Sequence, residues 1–463
     1  MIFSIVSSLL GILSLSSPCF YPVGFIFLVP FFYFLYTEKR FWKLLAGTFV
    51  FRSILLVGTV YYTAEPLNWS TSILLFLGLA FFSWIVNRTF PTSRYARLIG
   101  IAILYCLFDI IEAKYSFLPT YLVTVGTVLG ASPFVGLAKY GGVMTLELFV
   151  LASNTSILMV VLGIWPSIAG GQVRPSAWKR TLSVIVSFTL FFSGAFLLSG
   201  YFLRQNASVS SSYGRHLRVT AVSVKDVSPF GMQKFLANVA DIPTDLLVLP
   251  EELFVKEGND PYTGEEASMV IKNIHAKAAF VLGTFHIVRD GIHYNEAALF
   301  NAGGDILNRY DKNKLIILGE YWPYAWHPSL YDFLKDDPDV KNSAFFRPSN
   351  SYTAGGVNLM YLGQRNAGVP FGTLICLEAH YPDMIRTYKN LGAAFIVNPT
   401  SNRWISSGAD LYGHLVGNLY AIESVQSGLP IVVSSINGFA GVLFPNGERA
   451  TQWDGATTRD IAY

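Results

Sequence analysis

Seven long apolar segments occupy the first two hundred residues, at roughly 2–17, 20–36, 41–62, 71–87, 98–113, 139–165 and 181–202. A helix needs about 20 apolar residues to cross the hydrocarbon core of a bilayer. The pattern predicts a polytopic α-helical membrane domain of about seven transmembrane helices over residues 1–203. Pro18-Cys19 breaks the short first segment from the second. A cleaved signal peptide would begin with a basic stretch, which residues 1–17 lack, and further spans follow. The stretch 115–138 has polar and Gly/Pro breaks around Leu122–Val128 and is expected to lie along the outer membrane interface.

From residue 204 the period changes. Short apolar runs rich in β-branched residues, Leu217–Val224, Asp245–Leu249, Ala278–Phe285, Val369–Ile375, Ala394–Val397 and Pro430–Ser434, read as buried strands. Pro261–Ala276 and Tyr412–Ser427 read as helices between them. Asn446-Gly447 after Val442–Phe444 marks a hairpin turn. Residues 204–463 are therefore expected to form an α/β layered domain.

Charge sharpens the division. Residues 1–203 carry 12 Lys/Arg and 5 Asp/Glu, whereas 204–463 carry 21 and 25. Lys39, Arg40 and Lys43, then Arg88, Arg94 and Arg97, then Arg174, Lys179 and Arg180 fall in alternate loops. Positive loops stay cytoplasmic, so the N-terminus is expected inside and residues 204–463 outside, in the periplasm of a Gram-negative cell. A net charge of +3 over 463 residues gives no support for nucleic-acid binding. No glycine-rich phosphate loop follows a strand. The seven histidines form no metal-ligand spacing, so no metal and no cofactor are expected. Arg52, Asp109, Glu112 and Glu147 lie within or near span ends. They fit either interhelical pairing or a transport path, although no internal repeat of the kind transporters show is present.

Three residues in the second half carry candidate chemistry. Cys376 is its single cysteine and stands at the end of the run Val369–Ile375. Its position alone fits an inert buried thiol as well as a nucleophile. Glu251 closes the run Leu246–Pro250, where burial favours proton transfer. Lys312, in Tyr310–Leu315, could hold an oxyanion. Each charge alone fits a surface position. All three at strand ends, in the order Glu, Lys, Cys, point to a site.

That order resembles the nitrilase, or carbon–nitrogen hydrolase, superfamily. The resemblance is carried by Leu249-Pro250-Glu251, His293–Phe300 (HYNEAALF), Tyr310–Glu320 (YDKNKLIILGE), Ile375–Glu378 (ICLE), Asn398–Trp404 (NPTSNRW) and Ala421–Glu448. With seven spans ahead of it, the chain is similar to the apolipoprotein N-acyltransferases within that superfamily. The resemblance implies an α-β-β-α sandwich in an exported catalytic domain, anchored in the bacterial inner membrane. It implies Glu251 as general base, Cys376 as nucleophile, and Lys312 with the backbone N–H after Cys376 as oxyanion holders. The acyl donor would be a phospholipid, ordinarily phosphatidylethanolamine. The acceptor would be the α-amine of a diacylated lipoprotein.

Glu320 and Glu378 match supporting positions and would orient Lys312 or the incoming amine. Tyr321, Trp322 and Trp326 suit a lid at the membrane interface, and Trp404 and His414 match positions near the family's site, with a structural role also open for His414. Three departures stand out. Leu377 replaces the usual tyrosine, Ile317-Leu318 the usual Pro-Phe, and Asn402-Arg403 the usual Asn-Asp. The family pattern also implies a further span after the catalytic domain, and residues 451–463 contain no apolar run. Two other function classes fit parts of the chain: a membrane-anchored amidase or nitrilase, and a non-enzymatic scaffold or transporter. The second predicts loss of Glu251, Lys312 or Cys376, and all three are present.

Overall fold

The computed structural model describes the chain except residues 61–65, 116–121, 123, 170–174, 213–215, 226–235, 237, 256–259, 275, 317–319, 322–350, 365–367, 404–408 and 454. The chain forms two compact units. One is Met1–Asn206 with Ser406–Gln426, and the other is Ala207–Ile405 with Ser427–Tyr463.

The first unit is helical. Its helices are α1 (Ile2–Ser16), α2 (Val29–Thr37), α3 (Phe41–Val60), α4 (Pro66–Thr89), α5 (Arg94–Tyr115), α6 (Ala138–Ala169) and α7 (Pro175–Ser212). Among the described residues, five helical stretches are long and apolar enough to cross a membrane: Pro18–Thr37, Phe41–Thr59, Ser72–Thr89, Val143–Gly163 and Ile185–Ser208. The Pro18–Thr37 stretch joins a 3₁₀ turn (Pro18–Phe25) to α2. The first expected span, α1, is a shorter apolar helix of 15 residues. The fifth, α5, includes Asp109 and Glu112 and carries Lys114 in its last turn.

Residues 125–137 belong to the stretch 115–138 that is expected along the outer interface. They form two 3₁₀ turns, Val125–Ala131 and Val135–Leu137, whose residues are almost all buried. An interfacial helix must keep one polar face in water, and this segment has none. Its glycines allow it to pack closely. A Cβ on Gly126 would lie 2.4 Å from the carbonyl oxygen of Val143.

Arg52 and Glu112, two of the four intramembrane charges, form a buried ion pair. Arg52 on α3 donates through Nη2 to Glu112 on α5, and Ser72 on α4 donates to the same carboxylate oxygen at 2.5 Å. Arg52 Nε also donates to Ser72 Oγ at 3.2 Å, and its guanidinium lies over the Phe76 ring. Asp109 accepts from the backbone N–H of Val125 at 3.1 Å, which fixes the start of the buried turn. These contacts favour interhelical pairing over a transport path.

The second unit is built on a hydrogen-bonded sheet of 12 strands. They are β1 (His216–Val224), β2 (Thr244–Val248), β3 (Ala278–Arg289), β4 (Ile292–Asn301), β5 (Ile306–Asp311), β6 (Met360–Leu362), β7 (Val369–Thr373), β8 (Phe395–Ser401), β9 (Ile431–Ile436), β10 (Ala440–Leu443), β11 (Arg449–Gln452) and β12 (Gly455–Ala462). The main path runs β5-β4-β3-β2-β1-β9-β8-β7-β6. Among the described residues its α-helices are α8 (Gly264–Ile274) and α9 (Pro382–Leu391), while α10 (Ala409–Ser427) falls mostly in the first unit. All six expected strands are present. The Asn446-Gly447 turn joins β10 to β11 as an antiparallel hairpin.

Strand direction decides which loops share an edge. Strands β7, β8, β9, β1, β2 and β3 pair in parallel. β4 is antiparallel to β3 and β5 to β4, so β5 runs with the parallel set. The C-terminal ends of β2, β5, β7 and β8 therefore lie at one edge, where loops of α/β sheets gather functional groups. Alternation along β4 separates two networks, because successive side chains face opposite ways. Glu296 faces Arg289 and Arg309, and its neighbour Asn295 faces the strand-end cluster.

Removing one partner of a buried ion pair leaves an uncompensated charge. Glu112→Ala is expected to destabilise the first unit by about 3–5 kcal/mol, read as a lower thermal midpoint in detergent. The double variant Arg52→Met/Glu112→Leu is expected to recover most of that loss. A single variant that melts like wild type would contradict the pairing.

Candidate active site

Cys376 opens a 3₁₀ turn, Cys376–His380, directly after β7 and Leu374-Ile375. Its backbone is left-handed, with φ of 55°, a conformation costly for a residue with a Cβ. The surroundings hold it there. Asn398 on β8 donates its amide to the carbonyls of Leu374, at 2.6 Å, and Cys376, at 3.0 Å. The strain turns the thiol out of the strand direction, toward the edge where β2, β5 and β8 end. Glu252, the neighbour of Glu251, is also left-handed, with φ of 54°. Backbone strain thus sits beside both the expected nucleophile and the expected base.

Glu251 follows β2 and is buried. One carboxylate oxygen accepts from the Ser401 backbone N–H at 3.0 Å. The other accepts from Asn295 Nδ2 at 3.0 Å and faces Lys312 Nζ at 3.5 Å. Lys312 follows β5 and is fully buried. Its ammonium lies closer to Glu320, 2.6 Å from Oε1. The same Glu320 oxygen accepts from Asn295 at 2.9 Å, and Oε2 accepts from the Ile316 backbone N–H at 2.8 Å. One ammonium therefore sits between two carboxylates, and one amide bridges them.

Burial works against the charge of each group, and their mutual attraction partly restores it. Burial pushes the Glu251 carboxyl above its ordinary value, and Lys312 and the Asn295 amide only partly offset it. Burial also pulls against the charge of Lys312, but Glu320, Glu251 and the thiol outweigh it and raise the ammonium well above its ordinary value. Burial drives the Cys376 thiol up, and the charge of Glu251 adds to this, against Lys312 and a hydrogen bond with Thr400. The resting sulfur is thus a thiol. Such a thiol would become a strong nucleophile only on losing its proton to a neighbouring base.

Glu378 has a separate task. Its carboxylate accepts from the Tyr310 hydroxyl at 2.9 Å and from the backbone N–H groups of Asn313, Lys314 and Ile375 at 2.7, 2.8 and 2.7 Å. It ties the Lys312 loop to the residue before Cys376. Burial pushes its pKa up to about 7, against Lys312 and these donors.

The second unit therefore brings together Glu251, Lys312, Glu320 and Cys376, with Glu378 buried beneath the Lys312 loop. Leu377 is half-buried next to the thiol. Tyr321 follows Glu320, is half-buried, and donates its backbone N–H to the Ile316 carbonyl at 3.3 Å. Trp322, Trp326 and Trp404 lie outside the described residues. His414 is on α10, in the first unit. Sequence reasoning did not single out Asn295, Tyr310, Asn398 or Thr400. Their only signal was membership in the HYNEAALF, YDKNK and NPTSNRW stretches.

Two family models match the chain. The carbon-nitrogen hydrolase model covers residues 231–453 and contains every member of this cluster. The apolipoprotein N-acyltransferase N-terminal domain covers residues 7–156. The chain is 26% identical over 210 residues to the apolipoprotein N-acyltransferase of Geobacter metallireducens, covering 44% of this chain and 37% of that protein. It is 26% identical over 206 residues to the one of Aquifex aeolicus, covering 44% and 41%. The aligned stretches thus span less than half the length of these relatives. An amidase from Nesterenkonia sp. of known structure is 14% identical, with 54% of this chain and 91% of that chain covered and a TM-score of 0.37. A helical region that matches the apolipoprotein N-acyltransferase N-terminal model, followed by a carbon–nitrogen hydrolase domain, makes the chain similar in both parts to the apolipoprotein N-acyltransferases.

Proposed function

We propose that the protein moves an acyl chain from a phospholipid, through a thioester on Cys376, to the α-amine of a diacylglyceryl-cysteine at a lipoprotein N-terminus. The observation that carries this reading is the buried thiol at a strained turn beside Glu251 and Lys312, in a chain that also has five helices apolar enough for a bilayer. Residues 1–203 are the membrane domain, and residues 204–463 are the catalytic domain on the periplasmic side of the inner membrane. Phosphatidylethanolamine is the donor in this reading.

The chemistry follows from the donor and acceptor positions. Cys376 Sγ attacks the ester carbonyl as its proton passes to Glu251. The carbonyl oxygen becomes an oxyanion beside Lys312 Nζ, whose charge Glu320 keeps in place. Collapse breaks the ester bond, and the departing lysophospholipid oxygen takes the proton from Glu251. A thioester remains. The acceptor amine attacks it and gives a proton to Glu251. Collapse forms the amide and expels the thiolate, which is reprotonated.

Water in place of the amine would give hydrolysis by the same residues. A bilayer unit has a purpose only when the acyl donor or acceptor is a lipid, which favours transfer.

The direct test incubates full-length protein with phosphatidylethanolamine and a diacylated lipopeptide, and reads lipopeptide mass. Wild type is expected to add one acyl chain, and Cys376→Ala none. N-acylation by Cys376→Ala would overturn the mechanism. Release of free fatty acid with no lipopeptide product would overturn transfer in favour of hydrolysis.

The raised carboxyl of Glu251 also sets a pH dependence. Its ionised form accepts the proton, so Cys376 reactivity toward iodoacetamide is expected to fall as pH drops through a value above the ordinary carboxylate range. Glu251→Gln is expected to lose this limb and to react about 10²–10⁴-fold more slowly at neutral pH. A Glu251→Gln profile matching wild type would remove Glu251 from the base role.

A further inference from the structure

We propose that Asn295 is the positioning residue that assigns different roles to two otherwise similar carboxylates. Its side-chain amide bridges the two, so that Glu320 stays the counter-ion of Lys312 while Glu251 stays ionised and able to take a proton. The inference rests on the base role of Glu251 proposed above.

The geometry is a closed ring of alternating donors and acceptors. Asn295 Nδ2 donates to Glu251 Oε1 at 3.0 Å and to Glu320 Oε1 at 2.9 Å. Lys312 Nζ faces the same two oxygens at 3.5 and 2.6 Å. The Asn295 backbone carbonyl accepts from the Lys312 backbone N–H at 2.9 Å. One residue thus fixes the lysine's backbone and both carboxylates. Asn295 is itself buried on β4, in register with His286 on β3, so it cannot easily shift.

Two carboxylates around one ammonium carry a surplus negative charge. Left to themselves they repel, and the ammonium would be shared between them. A neutral donor stabilises both without competing for the proton. The unequal lysine distances show the outcome. Glu320 holds the ammonium tightly and also takes the Ile316 N–H. Glu251 keeps a weak contact with Lys312 and two neutral donors, Asn295 and the Ser401 N–H. The titratable groups acting on Glu251 are Lys312, Glu252, Glu320, Cys376 and Tyr352. Asn295 touches none of the sulfur's bonds. An aspartate here would add a third carboxylate and remove the donor, and an alanine would remove the donor alone.

Alkylation of Cys376 tests this without lipid substrate. The full chain, wild type and variants, is treated with iodoacetamide across pH, with adduct formation read by intact mass. Loss of the amide raises the proton affinity of Glu251. The acid limb for Asn295→Ala is therefore expected to move up by about one pH unit, with a roughly tenfold rate loss on that limb and convergence with wild type at high pH. Asn295→Asp keeps the shape and is expected to move the limb in the same direction by more. It serves if Asn295→Ala does not fold. Asn295→Gln is not expected to restore the profile, because its longer stem misplaces the amide. An unmoved limb in a folded Asn295→Ala or Asn295→Asp protein overturns the inference, as does a downward shift. A wild-type profile with no limb that depends on Glu251 fails the base role itself, and is read from Glu251→Gln alone.

Discussion

The site depends on one buried ammonium. Lys312 is fully enclosed, and an isolated ammonium in that position would lose its charge. Glu320 at 2.6 Å keeps it charged, and Glu251 shares the field. Every other feature of the site serves that arrangement. Asn295 separates the two carboxylates, Glu378 anchors the loop that presents the lysine, and Asn398 holds the backbone of Cys376 in its left-handed turn. In the proposed mechanism, a charge so placed would need no reorganisation as an oxyanion formed beside it.

The sheet makes this arrangement possible. Glu251, Lys312 and Cys376 are 125 residues apart at the extremes of the chain segment they span, and each follows a strand of one parallel set. Because β5 also runs with that set, all three arrive at the same edge. The neighbouring strands at the centre of the sheet are buried on both faces: every residue of β8, β9 and β10 is buried. Rigid strands ending in short loops suit groups that must hold hydrogen-bond distances.

Much of this was legible in the residues. Apolar runs rich in β-branched side chains are the physical signature of buried parallel strands, and the six read that way are strands. Glu251 and Cys376 stood out because each closes or follows such a run, and Lys312 through its place in Tyr310–Leu315. Strands β4 and β5 were missed because their polar residues look like loop. Glu296, Arg289, Arg309 and Asp311 are partnered across the sheet, and pairing of that kind leaves no mark on local hydropathy. Strand β12 is polar and half-exposed, and it gains its hydrogen bonds from β1 along its whole length. The stretch 125–137 read as interfacial because its glycines interrupt the apolar pattern, yet those glycines let it pack against α6. Asn295 was invisible for a related reason. A neutral amide has no pattern of its own, and its importance comes from what the fold puts on either side of it.

The central claim is that Cys376 carries the acyl group. It is tested most directly by intact-mass measurement of the full-length protein after incubation with phosphatidylethanolamine alone. The account predicts a single added acyl mass, mapped to Cys376, sensitive to hydroxylamine and discharged by a diacylated lipopeptide. An acyl group on another residue, or product formation with no acyl-enzyme under single-turnover conditions, would contradict it.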